Sequence, residues 1–400
     1  MKRFVSKAIN PLKFFINDSR SIGILLLVCT AFSLLMSNGG GEWYRSLWSA
    51  EIGSILNFPH TPLKWINDFL MAFFFLFAGM EIKRELVAGE LSSFKRAVLP
   101  FGAALGGMVV PALIFLVFNN HSGFSHGWGI PTATDIAFSL GIASLFGKRV
   151  SINLKIFLMA LAIIDDLGAI IVIALFYGEK VDMMYFMVAV VLYGLLWLCN
   201  HGRMKPGAIH LVLSLLLWYA ILNSGIEPSI TGVLVAFAMP VNSLVKLEKI
   251  IHSAVNFVIL PLFALANTAI LVPVDVSMSL GNTIALGVMA GLVIGKPVGI
   301  FLFSRILVAL KIAKLPSHVQ WKQFLGMGTL AGIGFTMSIF TTTLAFAGEL
   351  HRDIAKISIL ISMLLSLVIS GLYFLMIGSR DIRKSILPGR DAEPGIAMMS

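Results

Sequence analysis

Cysteine and charge are the scarce components of this chain. Only Cys29 and Cys199 occur, both in apolar surroundings. No disulfide framework or thiolate metal site can be built from them, and both are expected to be packing residues. Charged residues make up 12% of the 400 and hydrophobic ones 58%, whereas soluble domains carry about 25% charged residues. That composition excludes a soluble globular protein and leaves an all-α polytopic membrane protein. Long polar stretches are also missing, so 1–380 reads as one integral membrane domain and 381–400 as a short polar tail around Pro388-Gly389. None of the eight histidines is expected deep in the core, and none is given a role. Lys and Arg outnumber Asp and Glu by 30 to 20, but no RNA- or DNA-binding pattern accompanies the excess. Nucleic acid is therefore not an expected partner.

Hydropathy divides the chain into twelve spans, near 21–37, 64–82, 97–118, 128–146, 153–177, 183–200, 208–222, 226–240, 251–271, 283–304, 324–347 and 355–377. The division between the seventh and eighth rests only on Asn223-Ser224-Gly225 and Glu227-Pro228. The apolar run Ile22–Met36 follows a long basic arm and lacks a small-x-small cleavage site, so it reads as an uncleaved first span. Of the 30 Lys and Arg, 24 fall in the N-terminal arm, in every second loop and in the C-terminal tail. The alternate loops hold only Arg45, Lys64, Lys180, Arg352 and Lys356. Both termini are thus expected in the cytoplasm.

Two spans look interrupted. The fourth contains Gly129-Ile130-Pro131-Thr132-Ala133-Thr134-Asp135, where Pro131 removes a backbone donor and side-chain oxygens stand ready for freed backbone groups. The eleventh contains Gly332-Ile333-Gly334-Phe335-Thr336-Met337-Ser338. Aligning Gly129-Ile130-Pro131 with Gly332-Ile333-Gly334 sets Asp135 opposite Ser338, and the two spans run in opposite directions. An inverted repeat is therefore expected, with the two interrupted helices crossing in mid-membrane. Such interruptions in matching halves point to a transporter's binding site.

The deep ionisable residues are Asp135, Asp165, Asp166 and Lys296. Asp165 and Asp166 are the only charges between Ile156 and Phe176. One charge at the centre of such a span costs about 2.5–3.5 kcal/mol on insertion scales, so an adjacent pair marks an ion or proton path. Consecutive helical residues diverge by about 100°, so one aspartate can face water while the other turns to a neighbouring helix bearing Lys296. Broken helices leave partial charges at their ends, and Asp135 and Lys296 are suited to compensate them. Carboxylates without thiols or imidazoles are hard ligands for Na+, Li+ or H+. Cation and protons competing for the same oxygens are sufficient for exchange.

At these residues the chain resembles the NhaA-type Na+/H+ antiporters. The resemblance rests on Ala160–Ile170, Pro131–Phe138, Gly79–Leu86, Gly291–Pro297 and Gly332–Phe340, and it runs over roughly 20–378 in the same order. It implies an electrogenic secondary antiporter of the bacterial inner membrane that exports Na+ or Li+ for a larger number of H+, serving sodium and pH homeostasis. Carried over by position, Asp166 is the principal cation and proton carboxylate and Asp165 its partner, the two holding Na+. Lys296 pairs with Asp165, and Thr134 and Asp135 belong to the crossing as further cation- and proton-binding residues, Asp135 being both a candidate ligand and a charge compensator. Glu81, Glu85 and Glu248 match acidic positions tied to pH response. The loop before the ninth span, Pro240–Lys249, is short and lacks the histidines of the better-known form. The expected partners are bilayer lipid, small cations and a second copy in a homodimer, to which an outside hairpin within 39–61 could contribute. No cofactor is expected beyond the transported ions.

Enzymatic readings fit poorly. A membrane prenyltransferase would need Asp-Asp-x-x-Asp, but Ala169 stands at the fifth position. An intramembrane aspartyl protease would need flanking motifs that are missing. A passive channel would show ohmic conductance rather than exchange.

Overall fold

The computed structural model describes residues 19–376 apart from 54–56, 121, 179, 202–206, 273–279 and 318. The polar tail 381–400 lies outside the described residues. Among them there is no β-strand, and eight helices are long and apolar enough to cross a membrane. These are α1 (Ser21–Gly39), α3 (Pro62–Ala88), α4 (Phe94–Asn119), α6 (Ile152–Phe176), α7 (Met183–Asn200), α10 (Lys246–Asn267), α11 (Thr283–Ala309) and α14 (Glu349–Met376). A short helix, α2 (Glu42–Ser49), lies between the first two. The shorter apolar helices α8 (Ala208–Ser224) and α9 (Pro228–Ala238) add two passes. The fourth span is a 3-10 segment, Ser125–Thr132, followed by α5 (Ile136–Leu145). The eleventh is α12 (Trp321–Ala331) and α13 (Phe335–Ala345), bent by 46° at their junction. Twelve passes result, each a helix because a chain in hydrocarbon must satisfy its own backbone.

Two boundaries differ from expectation. The ninth span is helical from Val241, so most of the stretch read as a loop is its first turns. The segment 39–61 begins with a helix, α2, and among its described residues Ile52 N–H donates to His60 O at 2.9 Å. The weak seventh–eighth division is real. Gly225 ends α8 at φ +82°, a left-handed geometry, and a Cβ there would meet the Lys180 carbonyl at 2.5 Å.

The helices that carry the deep charges are drawn together by small residues. Gly102, Gly106 and Gly107 of α4 face α11, where Gly295 lies against Pro111 and Gly299 against the Gly106 backbone. A Cβ on Gly106 would run into the Gly299 carbonyl, so the two backbones touch as in other small-xxx-small pairs. Lys296 sits inside this contact.

Three helices contain a widened, π-helical turn: Ile66–Leu70, Val255–Ile259 and Gly291–Gly295. The last two have a physical cause in the sequence. Pro261 and Pro297 cannot donate, and each ring would strike the carbonyl four residues back, at Phe257 and Val293. Both carbonyls lie within the widened turns.

Candidate ion-binding site

The two interruptions meet. Residues Ala133–Asp135 are extended, and the Asp135 N–H donates to Ile333 O at 2.7 Å. The Ser338 hydroxyl donates to Ile130 O, also at 2.7 Å. Under the alignment of the two breaks, Ile130 corresponds to Ile333 and Asp135 to Ser338. The two bonds therefore exchange places, as a two-fold-related crossing requires.

Asp135 joins two helix N-termini. Its Oδ1 accepts the Phe138 N–H of α5 at 3.0 Å. Its Oδ2 accepts the Thr336 N–H of α13 at 3.0 Å and the Thr336 hydroxyl at 2.6 Å. An anion is the favourable group between two positive helix ends. Lys296 takes the complementary place: its Nζ donates to Thr132 O, at the C-terminal end of the 3-10 segment. The sequence left open which charge meets which ends, and the structure assigns both.

Asp165 and Asp166 diverge as helical geometry requires. Asp165 is wholly buried, with Oδ2 2.9 Å from Lys296 Nζ and 2.6 Å from the Thr134 hydroxyl, which donates to it. That hydroxyl also lies 3.0 Å from Ala331 O, in the last turn of α12. Asp165 Oδ1 has no partner. Asp166 turns the other way, into a cavity of about 220 Å3 that it lines with Thr134, Asp135, Thr336 and Glu81. Its Oδ1 is buried without a hydrogen bond. The charged groups acting on it are Asp135, Asp165, Glu81 and Lys296. Negative groups thus outnumber the single positive one around an under-occupied carboxylate.

The acidic residues expected in a pH response separate. Glu81 lines the cavity, while Glu85 and Glu248 lie beyond it on the Lys/Arg-rich face. Arg84 gathers all three: it lies 3.9 Å from Glu81 and from Glu85 and bonds directly to Glu248. Glu85 Oε2 also accepts the Glu90 N–H at 2.9 Å.

Several residues escaped the sequence reading. Asn256 and His252, from the start of α10, line the cavity opposite Asp166, and the His252 ring lies 5.6 Å from Phe77. Apolar periodicity hides Asn256, because it interrupts a hydrophobic run by one residue. Lys83 donates to the carbonyls of Ala236, Phe237 and Met239 and so caps the end of α9. The expectation that no histidine lies deep fails at His210, which is 3% exposed. Its Nε2 is 3.0 Å from Asn200 Oδ1, while its Nδ1 is buried without a partner. Among the described residues no three His, Cys, Asp or Glu side chains are grouped to hold a resident metal.

The family described as Na+/H+ antiporter 1 matches residues 13–375. A Na(+)/H(+) antiporter NhaA of Cytophaga hutchinsonii is 44% identical over 371 residues, covering 91% of this chain and 95% of that protein. The Flavobacterium psychrophilum protein of the same name is 45% identical over 365 residues, covering 89% and 94%. That of Dechloromonas aromatica is 44% identical over 372 residues, covering 90% and 94%. These matches span the crossing and its charges, and with them the chain belongs to the Na+/H+ antiporter 1 family, whose members are multi-pass membrane transporters and not enzymes.

Proposed function

We propose that the protein exports Na+ or Li+ across a bacterial inner membrane in exchange for a larger number of H+, with cation and protons competing for Asp166 and Asp165. The observation that supports this most is the buried, unpartnered Oδ1 of Asp166 at a cavity reaching the Lys/Arg-rich face. Asp166 with Thr134 and Asp135 offers only oxygen, suited to a small hard cation. Like charges close together out of water cannot all stay ionised, so without the cation the carboxylates take up protons. A cation arriving through the cavity displaces them.

More than one proton per cycle requires a second titrating group beside Asp166, and the Asp165–Lys296 pair is the one within reach. Unequal exchange moves net charge, so the membrane potential drives it. The asymmetry of Lys and Arg puts the termini and the cavity mouth in the cytoplasm. Glu81 on the cavity wall, tied through Arg84 to Glu85 and Glu248, is then the natural place for pH to act on access.

Inverted membrane vesicles with an acid interior test this reading. Na+ or Li+ should collapse the pH gradient and K+ should do little. Asp166→Asn should abolish the response while the protein remains inserted and melts normally. Clamping the potential at zero should slow exchange, whereas an electroneutral or ohmic pathway would not give that pattern. Full activity in Asp166→Asn would end the competition mechanism.

A further inference from the structure

On the face opposite the cavity mouth, a second pair of carboxylates comes together outside the crossing. Asp68 lies in the widened turn Ile66–Leu70, and Glu227 immediately precedes the short turn Pro228–Ile230 that packs on it. The Glu227 and Asp68 charges act on one another. Neither is in a salt bridge among the described residues. Glu227 Oε1 is buried without a hydrogen-bond partner, and Ser229, whose side chain is 0% exposed, lies against the same carboxylate. Trp218, whose indole N–H donates to Asp68 O at 2.9 Å, stacks at 6.0 Å on Trp65. Buried oxygens without partners are rare in folded proteins and ask what satisfies them.

We propose that Asp68, Glu227 and Ser229 form a second ion site, on the Lys/Arg-poor face, that holds either one proton shared between two carboxyl groups or one small hard cation of the Na+ and Li+ class. Two carboxylates in a dry setting retain a proton between them. A monovalent cation replaces that proton without changing the charge of the site. Its donors are all oxygen, which suits alkali ions and disfavours soft metals. Burial and the neighbouring Asp68 push Glu227 up to about 8, so proton and cation trade places near neutral pH.

Few other charges interfere. Lys64 acts on Asp68. Lys180 is exposed, with only its carbonyl against Gly225. Asp182 accepts the N–H groups of Met184 and Tyr185. Glu42 and Arg45 lie beyond Leu63 around a separate cavity. The nearby Asn67 and Asn267 bond to each other. Helix α9 brings no charged residue, and the ionisable ones on α8 are His210, held by Asn200 at the other end, and Tyr219, whose ring lies 5.3 Å from Phe58. Glu81 is thirteen residues from Asp68 on the same helix, about 20 Å away. The site is therefore separate from Asp166 and does not rest on its role.

The test uses the purified full chain in detergent, carrying Asp166→Asn and weakly buffered near the Glu227 midpoint. Adding NaCl or LiCl should release protons in a saturable way, and choline chloride or KCl should not. The release should fall to the choline level when Glu227→Gln or Asp68→Asn is added. Absence of release in Asp166→Asn, full release after Glu227→Gln, or an equal response to K+ would each overturn the proposal. Should Asp166→Asn not fold, Glu227→Gln alone must lower the number of protons released at saturating Na+, and an unchanged number would overturn it. Failure of vesicle exchange in the unaltered protein would sink the transport reading and leave this proton release intact.

Discussion

Removing the Lys296 side chain is the most searching perturbation of the crossing. Its Nζ is wholly buried, 2.9 Å from Asp165, and also serves the Thr132 carbonyl. Lys296→Ala strands a carboxylate and a carbonyl together. Breaking a buried ion pair from one side costs about 3–5 kcal/mol, far more than the pair itself contributes over an apolar replacement. Lys296→Met keeps the stem volume and removes only the charge, so it should lose most of the same stability. A stranded carboxylate escapes by taking a proton, so the loss should be smallest at low pH and grow as pH rises. Adding Asp165→Asn should restore much of it, because neither charge then remains. Thermal melting of the purified protein in detergent across pH, for these three variants, Asp165→Asn alone and the unaltered chain, reads all of this. If Lys296→Met melts like the unaltered protein, or the double variant loses the sum of the singles, the Asp165–Lys296 pair does not hold the crossing together.

Thr134→Ala should cost about 1–2 kcal/mol by removing a hydroxyl shared between Asp165 and Ala331 O, and should raise the Na+ concentration needed for half-maximal exchange. Gly106→Ala should destabilise by about 1–3 kcal/mol, since its Cβ meets the Gly299 carbonyl, while Gly23→Ala, with nothing within 4 Å, should be neutral. Glu227 titrates near 8 when folded against an ordinary 4.5, so the folded state binds the extra proton and stability should fall as pH rises between those values. Glu227→Gln should flatten that slope in a pH series of melting curves.

The sequence made the passes legible because lipid imposes a length and a polarity that few other contexts share. It also marked both breaks, since proline, glycine and clustered hydroxyls have little reason to sit in mid-membrane except to free backbone groups and satisfy them again. Adjacent Asp165 and Asp166 announced themselves by cost, and a 100° divergence separated their roles before any coordinates. What stayed hidden depends on three-dimensional company. Asp135 reads as a charge, but its place between two helix starts needs Thr336, 201 residues away. Asn256 and His252 reach the cavity only because α10 passes Asp166, and no local pattern says so. Glu227 looks like an ordinary loop acid until Asp68 is found against it. Trp43, Tyr44 and Trp48 suit an interfacial position, and the helix α2 that carries them is too short for hydropathy alone to reveal.

The widened turn at Gly291–Gly295 has a consequence for motion. Five residues there occupy the place of about four, with regular helix on either side, and Pro297 fixes where the surplus residue sits, because its ring keeps the Val293 carbonyl out of an ordinary turn. Were the bulge to migrate by a single step, the residue it passed would swivel by about 100°. Lys296, next in line, would then swing clear of Asp165 while both ends of α11 stayed anchored. Gly291, Gly295 and Gly299 pack without side chains against Pro131, Pro111 and the Gly106 backbone, so such a slip would drive side-chain bulk into that seam. The bulge thus sets the direction in which the lysine points, and the proline after it sets the bulge.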